Sequence, residues 1–196
     1  MKTTNEIFQY AGLVKRLKAF AYDYLIIFAF IVVLAGVNYG VILAGRTLGK
    51  VSPLFESIVV KDIIAFLTLI LPVILYFTFQ ESSSRQATWG KRKVGLVVVD
   101  SNGGRLSCQK AFLRSIIKFL PWQIAHTSIY QLSVVGFENK LPISAQIGFI
   151  LTYLLVGIYV ISILTTKKHR TPYDLAAGSC VILEDNRKID RIIGTV

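Results

Sequence analysis

The sequence predicts an all-α, polytopic membrane protein with four transmembrane helices, and three observations carry that prediction. The first is composition: the 196 residues are 54% hydrophobic and only 17% charged, where an average soluble domain carries about 25% charge. The second is that the apolar residues are pooled. Four runs, Tyr24–Gly45, Ile63–Gln80, Phe119–Phe137 and Leu141–Thr166, contain no Asp, Glu, Lys or Arg. Each has about 18 residues or more, enough for a helix to cross a hydrocarbon core of roughly 30 Å. The third is charge asymmetry. Of the 22 Lys and Arg residues, 18 lie before the first run, between the second and third, or after the fourth; only Arg46, Lys50, Lys61 and Lys140 lie on the other side. The positive-inside rule then puts both termini in the cytoplasm of a cell inner membrane. A soluble enzyme, a disulfide scaffold and a disordered tail are excluded. The net charge of +11 flanks the apolar runs instead of forming a separate basic module, so no nucleic-acid partner is expected. Cys108 and Cys180 fall on the reducing side, where a structural disulfide is not expected. The first run is too long for the apolar core of a cleaved signal peptide, and Asp23 interrupts its start.

The chain reads as a single membrane domain over 1–196. The first helix is expected over about 17–44, with Gly36, Gly40 and Ala44 forming a small-residue ladder suited to close helix packing. The loop that follows, about Arg46–Asp62, holds Ser52, Pro53 and Glu56 and shows no motif. The second helix, about 63–80, carries Pro72 near its middle, which removes a backbone hydrogen bond and kinks the helix. Residues 94–107 read as a small cytoplasmic β-hairpin. The β-branched stretch Val97-Val98-Val99 leads into Asp100-Ser101-Asn102-Gly103-Gly104, whose Asn-Gly suits a tight turn, and Arg105-Leu106 begin the return. Ser107 is placed to cap the next helix. There Lys110, Arg114 and Lys118 recur every fourth residue as a basic stripe of an interfacial helix. The third crossing, about 119–137, carries Pro121, Gln123, His126, Thr127, Ser128, Gln131 and Ser133. Such polar groups should face other helices or a wet cavity; a re-entrant or surface segment is the competing reading. The fourth helix, about 141–166, is strongly apolar, and a cytoplasmic tail follows over 167–196.

Three patterns in this order resemble the RDD family of membrane proteins. They are Lys15-Arg16-Leu17-Lys18-Ala19-Phe20-Ala21-Tyr22-Asp23; Thr88-Trp89-Gly90-Lys91-Arg92-Lys93 through Asp100, with Gly103-Gly104-Arg105-Leu106-Ser107 and Arg114; and His169-Arg170-Thr171-Pro172-Tyr173-Asp174-Leu175-Ala176-Ala177-Gly178. The resemblance spans about Lys15 to Ile182. It implies the four-helix architecture and transport of a ligand, with cation/proton antiport as one form. The family's arginine would be Arg16 and its first aspartate Asp23. Its second would be Asp174, with Asp100 the alternative.

Read from the residues, Asp23 is the one acid inside an apolar run, and an ionisable group there is a functional candidate by default. It either titrates or binds a ligand, or it forms a structural ion pair with Arg114, Lys118 or Arg16. Arg16, two turns away on the same helix face, is suited to a lipid phosphate or a different acid. Asp174 is suited to cap a short helix or to pair with Arg92, Arg114 or Arg170. His126 has no second His or Cys at ligand spacing, so neither a metal nor another cofactor is expected, and His169 sits in a basic, solvated setting. Lys91, Arg92 and Lys93 lack phosphate-loop spacing and suit anionic lipid headgroups. No nucleophile–base or paired-carboxylate arrangement points to an enzyme. The expected function is a small transporter of an ion or small solute, homo-oligomeric through Gly36 and Gly40. Asp23 is its coupling acid, Arg16, Asp174 and Arg114 surround it electrostatically, and His126 lines the path with Gln123 and Gln131. The alternative is a membrane scaffold binding a partner protein through its hairpin and tail.

Overall fold

The computed structural model describes residues 8–47, 57–135 and 141–184. The first helix, α1 (Leu13–Thr47), is longer than the charge-free run at both ends. Next come α2 (Ile58–Ala65), a π-helical turn (Phe66–Ile70) and α3 (Leu71–Glu81), continuous with one another. A short α4 (Trp89–Lys93) and strand β1 (Leu96–Asp100) precede α5 (Cys108–Val135) and α6 (Ile143–Thr165). The chain then forms α7 (Pro172–Ala176) and β2 (Ser179–Leu183). Among the described residues three helices are long and apolar enough to cross a membrane: Leu13–Thr47, Ile58–Glu81 and Ile143–Thr165. Only 6% of the apolar window of the first and third is buried, so their Leu, Ile, Val and Phe side chains face outward and need hydrocarbon around them. This is a membrane protein. Ser52, Pro53, Glu56, Ser133 and the tail segment Arg187–Val196 lie outside the residues whose placement or side chains are described.

The π turn ends two residues before Pro72. Proline supplies no N–H to the preceding turn, and local π geometry is one way a membrane helix accommodates that loss. Pro121 poses the same problem in α5, because the carbonyl of Ile117 loses its helical donor. The Tyr159 hydroxyl of α6 supplies one at 2.5 Å.

The expected hairpin over 94–107 is corrected. β1 pairs antiparallel with the distant β2, in the register Leu96↔Leu183 to Asp100↔Ser179. The Asn-Gly turn does form: the Asp100 carboxylate accepts the N–H groups of Asn102 (2.9 Å) and Gly104 (2.8 Å). The chain leaves it for α5 instead of returning as a strand. Cys180-Val181-Ile182 offers β1 a fully apolar partner, whereas Arg105 is exposed and suits no covered face. Side chains alternate as a strand requires. Leu96, Val98 and Val181 pack with Ala11, Ala19, Leu106 and Ala111 on one face, and Val97, Val99, Cys180 and Ile182 pack with Ala87 on the other. Gln9–Ala11 bond along the outer edge of β2, and the Gln86 carbonyl accepts the Val98 N–H of β1. Both edges of the sheet thus carry hydrogen bonds to other backbone of the same chain.

Two compact units are distinguished. The first takes in Met1–Leu25, Leu75–Lys118 and Gly157–Val196, and so contains the sheet and, in its described residues, all the ion pairs. The second takes in Ile26–Ile74 and Phe119–Val156. Within it α5 and α6 approach closely at Gly148, where an added Cβ would lie 2.1 Å from Ser128 Oγ. Gly148→Ala is expected to cost about 1–3 kcal/mol, read as a lowered melting temperature in detergent. Ser128→Ala in the same chain should recover part of it. Gly36 and Gly40, in contrast, would carry a Cβ with nothing within 4 Å among the described residues.

Candidate functional site

Arg16 and Asp23 lie two turns apart on α1, roughly 10.5 Å along its axis, and their side chains go to different partners. Asp23 is 1% exposed. Its Oδ1 accepts the Gly90 N–H at 2.7 Å and the Tyr76 hydroxyl at 3.0 Å, and its Oδ2 accepts the Thr88 hydroxyl at 2.6 Å. All three donors are neutral. Thr88 is also the N-cap of α4, its Oγ1 accepting the Lys91 N–H, so the residue that opens α4 also holds the carboxylate. Gly90 is required here: a Cβ would lie 2.0 Å from the Ala19 carbonyl oxygen and 2.8 Å from Asp23 Cγ.

Beside this pocket runs a chain of five charges. The Arg16 guanidinium donates to Asp174 Oδ2 at 2.6 Å, to the His169 carbonyl at 2.7 Å and to the Ala11 carbonyl at 3.0 Å. Arg114 donates to Asp174 Oδ1 from Nη2 (2.8 Å) and Nε (3.0 Å), and from Nη1 to Glu81 Oε2. Lys91 Nζ closes the chain on Glu81 Oε1 at 2.6 Å. The Asp174 and Glu81 side chains are fully buried and that of Arg114 nearly so. Asp174 has a second duty as the N3 residue of a capping box on α7. Its Oδ2 accepts the Thr171 N–H while Thr171 Oγ1 accepts its own N–H. Burial alone would raise the Asp174 carboxyl, but the Arg114 and then the Arg16 guanidinium outweigh it and hold the group far below the ordinary carboxylate range. Tyr173 lies under the Arg114 guanidinium, 5.1 Å from ring centroid to Cζ. Lys118 Nζ sits 3.5 Å from the Phe77 centroid.

The ion pair considered between Asp23 and Arg16 or Arg114 is therefore corrected: both guanidiniums are spent on Asp174 and Glu81. Lys91, expected at lipid headgroups, is 7% exposed and internally paired. Arg92 turns to the Gln80 side-chain oxygen (3.0 Å) and the Ala87 carbonyl (2.9 Å). Lys93 alone of the three is exposed, over the Trp89 ring. His126 Nδ1 meets the Trp122 carbonyl of its own helix at 2.9 Å. His169, expected to be solvated, instead contacts the Ile163 carbonyl at 2.7 Å. Asp100 serves its turn and takes no part in the charge chain.

Two acids went unnoticed in the sequence. Glu81 closes α3 one residue past the charge-free run, and Asp62 lies in α2 one residue before it. Asp23 is thus not the one acid in a candidate membrane helix. The available signal was position, since an acid abutting an apolar run continues its helix. Compared with known families, residues 10–178 match the RDD family. No curated protein and no solved structure matches the chain.

Proposed function

The chain belongs to the RDD family, and from that premise we propose that it is a small transporter of an ion or small solute in which Asp23 is the coupling or binding acid. The observation that carries this reading is the contrast among its buried carboxylates. Glu81 and Asp174 each meet a guanidinium, and protonating either would strand that cation. Asp23 is held by two hydroxyls and one N–H. A hydroxyl can donate to a carboxylate or accept from a carboxylic acid, so Asp23 can gain or lose a proton, or yield to a cation, without leaving a buried guanidinium unpaired. The charge chain is then the frame: Arg16 and Arg114, joined through Asp174, fix the end of α1 from which Asp23 projects.

In this reading both termini are cytoplasmic and the membrane is the inner one. α5, 28 residues long, is the fourth crossing; at 1.5 Å per residue it reaches about 42 Å. A second copy packs on the open Gly36–Gly40 face. No enzymatic step is assigned. The test is a proton-flux assay in proteoliposomes under an imposed pH gradient, with Na+ or K+ added outside. Cation-dependent collapse of the gradient beyond that of empty liposomes is expected; no difference from empty liposomes with either cation, and none with common small solutes, would overturn transport.

A further inference from the structure

A second polar cluster lies in the second compact unit. Asp62 belongs to the candidate membrane helix Ile58–Glu81. Its Oδ2 accepts the Thr127 hydroxyl of α5 at 2.9 Å, and its Oδ1 accepts the Gln123 amide at 3.3 Å. The same amide reaches Thr127 Oγ1, also at 3.3 Å. Both Gln123 bonds are long, so its amide group is loosely held. Its other end is the informative one: Gln123 Oε1 is buried and has no hydrogen-bond partner among the described residues. A buried carbonyl oxygen without a partner calls for one, and a bound ion beside the Asp62 carboxylate would supply it.

We propose that Asp62, Gln123 and Thr127 form a binding site for a monovalent alkali cation. The donor set is all oxygen: two from the carboxylate, one amide carbonyl and one hydroxyl, which suits a hard cation and not a thiophilic or imidazole-seeking metal. One carboxylate balances one positive charge. A divalent ion would keep a net charge at this half-buried site, and calcium takes six to eight oxygens. The π-helical turn Phe66–Ile70 begins four residues after Asp62 on the same helix, and π turns are frequent at functional sites. On binding, the Gln123 amide turns its carbonyl to the ion and releases the two long bonds. The site deepens the transport reading and rests on it for its role, while its occupancy is measurable without any flux.

The experiment is a thermal melt of the full chain in nanodiscs, titrated with NaCl or KCl against choline chloride at constant ionic strength. A saturable rise in melting temperature with Na+ or K+ is expected for the parent and for Asp23→Asn, and its loss in Asp62→Asn. Thr127→Val and Gln123→Leu, milder changes that keep the bulk of the side chain, should each shift the half-saturating concentration upward roughly tenfold. An equal rise in all variants, no rise in the parent, or a rise with CaCl2 but not with the alkali chlorides would overturn the site. Alkali binding that depends on Asp62 in a protein showing no flux would keep this site and sink the transport reading. Flux without such binding would do the reverse.

Discussion

Arg114→Leu is expected to prevent the protein from accumulating as a folded, monodisperse species. Arg114 is 2% exposed and its guanidinium alone joins Glu81 to Asp174. Removing it leaves two buried carboxylates facing one another's field, with Lys91 and Arg16 only at the far ends. Breaking a buried pair by deleting one partner costs about 3–5 kcal/mol, a large part of the 5–15 kcal/mol that holds a typical domain folded. Fluorescence-detected size exclusion reads the outcome directly. Arg114→Lys keeps the charge but loses the fork, because one ammonium cannot serve both Asp174 and Glu81 in the same geometry; it should fold but melt below the parent. A parent-like elution profile for Arg114→Leu would contradict the network's role. The pH dependence has a definite sign. Because the folded Asp174 carboxyl is depressed, its contribution is fully present above about pH 4 and is lost only as pH falls through the lowered folded value. The stability gap between the parent and Asp174→Asn should therefore stay constant from neutrality to about pH 5.

Gly90→Ala has the second largest expected effect. The atoms an added Cβ would strike belong mainly to the backbone of α1: the Ala19 carbonyl oxygen at 2.0 Å and the Asp23 N at 2.8 Å. A helical backbone cannot yield as a side-chain tip can, so α4 must withdraw. That lengthens the 2.7 Å bond from Gly90 N–H to Asp23 and draws Thr88 with it. Overpacking and the weakened bond to a buried carboxylate together are expected to cost about 3 kcal/mol, measured by thermal melting in detergent. An unchanged melting temperature would show that α4 does not seat on α1 as described.

How much of this was legible in the sequence follows from the kind of information each feature needs. The apolar helices declare themselves by composition over 18 residues or more, and α1, Ile58–Glu81 and α6 lie where their runs placed them. The Val97–Val99 strand and the Asp100–Gly104 turn are local and were readable. The partner strand was not. Ser179–Leu183 is a short apolar stretch behind a basic segment, and only the packed molecule brings it to β1. Arg114 shows the same gap in another form. Its spacing with Lys110 and Lys118 reads as one surface stripe, yet Lys110 is exposed while Arg114 is buried. Periodicity reveals a shared face but not what covers each part of it. The acids that receive Arg114 lie far away in sequence, at Glu81 and Asp174, so its inward turn left no local trace.

Asp23→Asn, measured for folding and flux in one preparation, decides whether Asp23 is the working carboxylate and the charge chain its frame. The amide fits the pocket with one bond reversed. Its oxygen keeps the Gly90 N–H and the Tyr76 hydroxyl, while its NH2 replaces Oδ2 and donates to Thr88 Oγ1. What it cannot do is carry the charge or exchange the proton. Asp23→Asn is expected to be monodisperse and to melt within a few degrees of the parent, with gradient-driven flux reduced to that of empty liposomes. Parent-like flux from the same folded Asp23→Asn protein would contradict that role.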